Sequence, residues 1–312
     1  MGKYVRQRLL MAIPILLGVL TTVFLLVHLV PGDPAEAILG EYATKDSLAQ
    51  LRQQMGLNAP LYQQYAHFIG GAVLGDFGRS IQTKQPVVQR ILEAFPYSLE
   101  LAIAAILVAV LIGLPLGVIA ATRRNSGADY VAMVASLLGV SMPSFWTGIL
   151  LLILFAVNLH WLPITGAGRG GFLADLKYLI LPALTLGAGE AGLIARMTRS
   201  ALLEVLALDY VRTAKAKGLH ERRVIYRHAL KNALIPVVTV VGLNMGRLLG
   251  GTVIMEALFV RPGLGRVLMS AMQARDYPQI QGTIAFFAVL ILVVNLMVDL
   301  TYGLLDPRIR YD

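Results

Sequence analysis

The chain has 312 residues, of which 57% are hydrophobic and 14% are charged. Several apolar runs reach about 20 residues, the length that crosses a bilayer, so we predict an integral membrane protein and exclude a soluble globular fold. Membrane topology and anionic inner-leaflet lipid explain the net charge of +9 better than nucleic acid does. The chain has no cysteine, which excludes disulfides, thiolate metal sites and cysteine nucleophiles.

The apolar segments predict an all-α integral membrane protein with six transmembrane helices. These lie at residues 9–30, 98–121, 131–157, 178–197, 233–258 and 281–303. The first segment is too long for the apolar region of a signal peptide, so it is counted as a span. Lys and Arg of the short connecting segments are concentrated on the side of the N-terminus, which predicts that both termini are cytoplasmic.

Residues 31–97 are the only sizeable polar segment predicted on the outer side. "ATKDSLAQLRQQMGL" predicts a short helix with Thr44 or Ser47 as its N-cap and Gly56 at its end. "QPVVQRILEAFPYS" predicts an amphipathic helix that leads into the second span. The segment is either a cap that protects the ends of the spans or a surface that docks a partner or guides substrate.

Small residues and prolines within the spans predict how the helices pack. One GxxxG pattern lies in "GLPLG" and two overlapping ones lie in "GLNMGRLLG". This spacing lets helix backbones approach closely in lipid. Three prolines lie within spans and can each kink a helix: Pro115, Pro143 and Pro182.

Ionisable residues within spans are informative because a charge in hydrocarbon is costly. Glu190 lies in the fourth span and Arg247 in the fifth, with Asn244 nearby. We expect Glu190 and Arg247 to face the bundle interior and either to pair or to line a polar translocation pathway, with Asn244 as a further member. A purely structural ion pair or a snorkelling arginine is the alternative. Weaker candidates are His28, Glu256 and Asp299.

Catalytic motifs are missing from the sequence. It contains no GxSxG, HExxH or GxxxxGK[ST] pattern, and its five histidines are scattered. We therefore predict no catalytic residue and no metal site, and an intramembrane enzyme is the least favoured class. If this protein moves a solute uphill, the energy comes from another subunit or from an ion gradient.

A basic block, "DYVRTAKAKGLHERRVIYRHALKNALIP", separates the fourth and fifth spans on the cytoplasmic side. We predict two short helices: "ALLEVLALDYVRTAKAKG", ended by Gly218, and "ERRVIYRHALKNAL", which runs to Pro236 where the next span begins. One face of the first helix combines Leu206, Tyr210, Thr213 and Ala214, with Arg212 and Lys215 beside it. That face suits either insertion into a partner's groove or contact with anionic lipid.

The sequence resembles the inner-membrane permeases of binding-protein-dependent ABC importers, in particular the first permease subunit of the dipeptide, oligopeptide, glutathione and nickel group. The resemblance covers essentially the whole chain. It is carried by "HLVPGDPAE", "LRQQMGLNAPLYQQY", "GDFGRS", "SMPSFWTGILL", "ARMTRSALLEVLALDYVRTAKAKGL", "RHALKNALIPVVTVVGL", "MEALFVRPGLGRVLMSAMQARDYPQIQG" and "NLMVDLTYGLLDPRIR".

The resemblance implies an ATPase-coupling loop. Its members here are Asp209, Tyr210, Arg212, Ala214, Gly218 and Leu219. The usual signature begins Glu-Ala-Ala, whereas this chain has Arg212-Thr213-Ala214, so no role of the missing Glu is carried over. The resemblance also implies that a loop at Pro262, Gly263 and Gly265 faces the binding protein. Residues 31–97 would contact the same partner.

The same resemblance implies a division of the chain and a set of partners. Residues 1–97 would form an N-terminal helix with the extracytoplasmic segment, and residues 98–312 the permease domain. The partners would be a second homologous permease in a heterodimer, two ATPase subunits that carry ATP and Mg, and an extracytoplasmic substrate-binding protein. This chain would bind no cofactor itself, and it would lie in the bacterial inner membrane.

Two classes of function compete. The favoured one is a permease subunit that imports short peptides, with glutathione or nickel as alternative substrates within the family. The other is a secondary transporter driven by an ion gradient, with Glu190 or Asp299 as its proton site. Dependence of uptake on an ATPase separates the two classes.

Overall fold

The computed structural model describes residues 2–29, 34–39, 44–54, 56–168 and 172–305. The regular elements in these ranges are helices, and the one β-bridge among them joins Arg79 to Pro86. The predicted all-α class is therefore confirmed. The chain forms two compact units, Met1–Ser98 with Pro262–Val293, and Leu99–Arg261 with Val294–Asp312.

The first unit begins with four helices, of which only the first is long enough to cross a membrane. They are α1 (Gly2–Leu29), α2 (Pro34–Leu39), α3 (Lys45–Gln54) and α4 (Leu61–Leu74). Thr44 caps α3 as predicted, because its Oγ1 accepts from the Ser47 amide while the Thr44 amide donates to Ser47 Oγ. Gly56 follows α3 with a φ of 67°, where glycine is favoured.

Helix α4 packs on the second half of α1 through aromatic contacts. Phe24 is almost fully buried, with ring centroids 5.3 Å from Tyr65 and 5.9 Å from Phe68. The Tyr65 hydroxyl hydrogen-bonds to Thr21 Oγ1 at 2.7 Å. His28 Nε2 lies 3.1 Å from Gln64 Oε1, so this polar residue of the first span is bound by a neighbouring helix.

Helix α5 (Val87–Thr122) joins the predicted amphipathic helix and the second span in one element, and it continues through Pro115. Also in the first unit, α12 (Leu264–Gln273) precedes the start of α13 (Tyr277–Leu305). Asp276, just before α13, is buried and accepts from the Ser80 hydroxyl and the Ile81 and Gln82 amides. That carboxylate holds the turn before α5.

The predicted third span, residues 131–157, is not one straight helix, and it breaks at Pro143. In its place, α6 (Gly127–Ser141) and α7 (Ser144–Leu151) meet at 106°, and a π-helical stretch, Leu152–Asn158, continues α7. Pro143 explains the break, because proline pushes the preceding residue out of the helical region and Met142 has an extended ψ of 131°. The described residues therefore contain five helices apolar enough to span a membrane, or six if this bent pair counts as one.

The rest of the second unit contains two further long helices and the basic block. They are α8 (Phe172–Leu206), α9 (Asp209–Ala216), α10 (Glu221–Arg223), a π-helical stretch (Val224–Ala229), α11 (Leu230–Leu258) and the end of α13.

The two helices predicted for the basic block differ from the observed ones. Residues up to Leu206 belong to α8, so only Asp209–Ala216 forms the separate helix α9. Pro236 lies inside α11 and does not begin it. Helical structure is continuous from Glu221 to Leu258, because the π-helical stretch links α10 directly to α11.

Glycines hold α8 close to its neighbours, as the predicted GxxxG of α5 requires. A Cβ on Gly113 would lie 2.5 Å from the Ala191 carbonyl oxygen, and one on Gly117 would lie 2.5 Å from Thr198 Cβ. A Cβ on Gly192 would lie closer still to the Ser136 carbonyl oxygen of α6. In the second predicted pattern, Gly242 packs on Val298 of α13, while Gly250 faces open space.

Candidate functional site

Helix α9 is anchored in a buried apolar cluster at one end of the second unit. Val211 and Ala214 of α9 enter this cluster, which contains residues of α5, α8 and the segment before α11. Its other members are Val118, Ala121, Ala201, Leu202, Val224, Ile225, Ala229 and Ala233. The cluster therefore brings α9 into contact with the ends of α5 and α8 and with the start of α11.

Tyr210 provides a polar link between α9 and the helix that follows it. Its hydroxyl donates to the His228 carbonyl at 3.2 Å and accepts from Asn232 Nδ2 at 2.8 Å. Tyr210 is half exposed, so the side chain joins the α9 surface to the start of α11.

The exposed side of α9 carries Arg212, Thr213 and Lys215. Of the ridge predicted from the sequence, Tyr210 and Thr213 are exposed, but Ala214 faces the chain's own cluster and Leu206 belongs to α8. Asp209 and Arg212 lie 3.7 Å apart and are both highly exposed, so this ion pair contributes little stability.

Gly218 and Leu219 form the turn after α9. Gly218 has a φ of 75° with open space where a Cβ would be, which fits its predicted role of ending the helix. The Leu219 side chain packs against the cluster.

An ion pair that the sequence did not predict joins α6 to α8 near the same end. Arg199 donates from Nε to Asp129 Oδ1 at 2.7 Å and from Nη2 to Oδ2 at 2.8 Å. The Asn125 amide also donates to Asp129 Oδ2. Arg199 lies one turn before Leu202 of the cluster. In the sequence, Asp129 is visible only as an acidic residue in the first turn after the Ser126 cap. No local pattern identifies Arg199, 70 residues away, as its partner.

A cavity of about 410 Å³ lies at the break between α6 and α7. Its walls come from α6, α7, α8 and α11. The lining residues are Gly139, Val140, Met142, Ser144, Thr147, Thr185, Leu186, Ala188, Gly189, Glu190, Leu193, Arg247, Leu248 and Gly251. Because Pro143 has no amide hydrogen, the Gly139 carbonyl loses its helical donor at this break.

Glu190 and Arg247 meet in the wall of this cavity, as the sequence allowed. Arg247 Nη2 donates to Glu190 Oε1 at 2.7 Å, and the two side chains are 60% and 12% exposed respectively. Glu190 Oε2 and Asn244 Nδ2 are buried and have no hydrogen-bond partner among the described residues. Asn244 does not line the cavity, although it lies one turn from Arg247 on α11.

The loop before α12 is less exposed than we expected for a binding-protein surface. Gly263 and Gly265 are buried, and Pro262 is partly exposed. The Leu264 amide donates to Ser98 Oγ at 2.8 Å, which fixes the start of α12. Of the two remaining intramembrane candidates, Glu256 is fully buried in α11, and Asp299 lies in the last third of α13.

Chains of two solved ABC transporters have a fold similar to this one. The methionine transporter MetNI in an inward-facing conformation has a chain with a TM-score of 0.59, at 17% identity, over 70% of this chain and 97% of that one. An amino acid ABC transporter crystallised with histidines has a chain with a TM-score of 0.54, at 14% identity, over 69% and 94%. At these identities the likeness concerns the fold alone.

Family models assign the chain to a family. The model described as binding-protein-dependent transport system inner membrane component matches residues 113–311, and its N-terminal companion matches residues 1–102. The chain therefore belongs to the binding-protein-dependent transport system inner membrane component family. It is a multi-pass protein of the inner membrane.

Curated relatives match over the whole chain. The di/tripeptide transport system permease protein DppB of Pseudomonas aeruginosa (strain UCBPP-PA14) is 44% identical over 100% of this chain and 99% of its own length. The glutathione transport system permease protein GsiC of Salmonella choleraesuis (strain SC-B67) is 45% identical over 100% of both chains. The dipeptide permease DppB of Alkalihalophilus pseudofirmus (strain ATCC BAA-2126 / JCM 17055 / OF4) is 42% identical, also over 100% of both.

Proposed function

We propose that this chain is a permease subunit of an ATP-driven ABC importer and forms part of the translocation pathway for short peptides. Full-length identity of 42–44% to di/tripeptide and dipeptide permeases is the observation that carries this function. Glutathione is the second candidate substrate, because the glutathione permease GsiC is equally similar over its whole length.

The energy source in this proposal lies on other subunits. Two ATPase subunits hold ATP and Mg, and α9 is the element that docks on them. Support comes from the buried cluster, which links α9 to α5, α8 and α11, and from the exposed side of α9, which carries Arg212, Thr213 and Lys215. Within this loop, Val211, Ala214 and Leu219 hold α9 on the chain, so a partner contacts the opposite side.

Both termini are cytoplasmic in this proposal. The ends of α5 and α8 and the start of α11 meet in one cluster with α9. The basic residues that directly follow α5, Arg123 and Arg124, therefore lie at the same end of the second unit as those of α9. Such a concentration of positive charge is typical of the cytoplasmic side.

A second homologous permease and an extracytoplasmic binding protein complete the assembly. We assign the binding-protein contact to residues 31–97 and to the loop at Pro262. Gly263 and Gly265 are buried, so they shape this loop and do not contact the partner directly. The translocation pathway includes Glu190 and Arg247, which line the cavity, and Asn244 beside them.

Uptake by the reconstituted importer tests the function. The complex is purified with its binding protein, the co-purified ligand is identified by mass spectrometry, and its uptake into proteoliposomes is measured with and without internal ATP. ATP-dependent uptake of a peptide is expected. Uptake that survives without ATP and collapses with the proton gradient would contradict the permease function and favour a secondary transporter.

A further inference from the structure

We propose that the cavity between α6, α7, α8 and α11 is a transient binding site for a free carboxylate of the transported molecule. Arg247 binds the carboxylate, and Glu190 positions the Arg247 guanidinium. This inference rests on the proposed import of peptides, and it adds the chemical group that the permease itself recognises.

The cavity has the dimensions of a small-ligand site. Its volume of about 410 Å³ lies toward the lower end of the range of roughly 300–1,000 Å³ for such sites. The cavity is open because small residues line it: Gly139, Ala188, Gly189 and Gly251. Thr147 and Ser144 add hydroxyl groups to an otherwise mostly apolar wall.

Arg247 retains donors for a ligand. A guanidinium has five N–H donors, and the contact with Glu190 uses one of them. The side chain is 60% exposed although it lies within a membrane-spanning helix. Arginine matches the planar geometry of a carboxylate with paired hydrogen bonds, so a carboxylate is the group that these remaining donors fit.

Glu190 is built to hold the arginine in place. Its side chain is only 12% exposed, and its Oε1 lies 2.7 Å from Arg247 Nη2. Its Oε2 is buried and lacks a hydrogen-bond partner among the described residues. A structural ion pair normally satisfies both oxygens, because a buried acceptor without a donor costs free energy. Glu190 therefore holds Arg247 through one oxygen alone, which orients the guanidinium and leaves its other donors available to a ligand.

Direct ligand contact in the assembled importer tests the inference. Dialanine and dialanine amide, which lacks the free carboxylate, are each presented to the detergent-purified complex without binding protein. Contact is measured by saturation-transfer NMR. For wild type we expect dialanine to bind about 10-fold or more tightly than the amide, as a lost charge-assisted hydrogen bond predicts.

Three variants make the result specific. Arg247→Gln removes the guanidinium, and the double variant E190Q/R247Q does so without leaving an unpaired carboxylate in the wall. Both should abolish the preference for the free acid. Arg196→Gln is the matched control, because Arg196 is an exposed arginine of α8 outside the cavity, and it should keep the wild-type preference.

Contrary outcomes separate the inference from the proposed function. Equal binding of acid and amide by wild type, no binding of dialanine, or an unchanged preference in E190Q/R247Q would each overturn the carboxylate site. Uptake of dialanine into proteoliposomes, with binding protein and ATP, is measured in parallel. If uptake persists, only the inference fails, whereas absence of all peptide uptake contradicts the proposed substrate class.

Discussion

Two ion pairs in the second unit are built from the same chemistry but are organised differently. Arg199 makes two hydrogen bonds to Asp129, and their side chains are 26% and 4% exposed. Arg247 makes one hydrogen bond to Glu190 and is 60% exposed. In the first pair each carboxylate oxygen has a donor, whereas in the second one oxygen has none among the described residues.

The surroundings of the two pairs explain the difference. The Asp129–Arg199 pair lies near the packed cluster that anchors α9, where α6 and α8 are in close contact. The Glu190–Arg247 pair borders a cavity opened by a broken helix. The Asp129–Arg199 pair uses both carboxylate oxygens and ties α6 to α8. The Glu190–Arg247 pair uses one oxygen and leaves donors of Arg247 available to the proposed carboxylate.

Removing the Asp129–Arg199 pair should have the largest effect on stability. Asp129→Ala leaves Arg199 without its carboxylate, and we expect the free energy of unfolding to fall by about 3 kcal/mol, as when one partner of a buried pair is lost. Thermal unfolding in detergent measures the change. Asp209→Ala is the control, because the exposed pair with Arg212 contributes less than about 0.5 kcal/mol. Equal losses in the two variants would show that the Asp129–Arg199 pair does not stabilise this end of the second unit.

The packing of α9 gives the next largest effect. Ala214→Arg forces a charged side chain into the buried cluster, so we expect a loss of about 2–3 kcal/mol and poor assembly. Thr213→Arg, on the exposed side of the same helix, should assemble normally and alter only the coupling of ATP hydrolysis to uptake. Membrane levels and ATPase activity of the two variants separate packing from docking. Normal assembly of Ala214→Arg would show that the cluster accommodates a charged side chain at this position.

Charge reversal tests the Glu190–Arg247 pair. E190R and R247E each place like charges together, so we expect uptake to fall about 10-fold or more, since 1.4 kcal/mol corresponds to a factor of ten. The stability loss should be smaller than for Asp129→Ala, because Arg247 is exposed. The double variant E190R/R247E restores opposite charges. If its uptake is no better than that of either single variant, functional pairing loses its support.

The turn after α9 should give the smallest effect. Gly218→Ala adds a side chain at a φ of 75°, which costs about 1 kcal/mol for an L-residue. We expect intact assembly with more ATP hydrolysed for each peptide imported. Gly250→Ala is the control, because Gly250 is helical and faces open space, so alanine fits there without strain, favours the helix and should leave coupling unchanged. Unchanged coupling in Gly218→Ala would count against a docking role for this turn.

Some features were readable from local patterns alone. The Thr44 cap, the close approach at Gly113 and Gly117, and the end of α9 at Gly218 depend on residues within a few positions of one another. The break at Pro143 was only half predicted, because proline indicates a kink and not its size. Just before the basic block, the sequence predicted one helix where the structure has the end of α8 and the separate helix α9. The break after Leu206 occurs without proline or glycine, so no local signal marked it.

By itself, the sequence determined that this is a helical membrane protein, which segments are apolar enough to span, and the family to which the chain belongs. These properties follow from hydropathy and from ordered motifs along the chain. Only the tertiary structure decided that Ala214 faces inward, that Asp129 binds Arg199, and that Glu190 and Arg247 share a cavity wall. Each depends on how separate helices rotate and approach, which is set by packing among many side chains rather than by any local pattern.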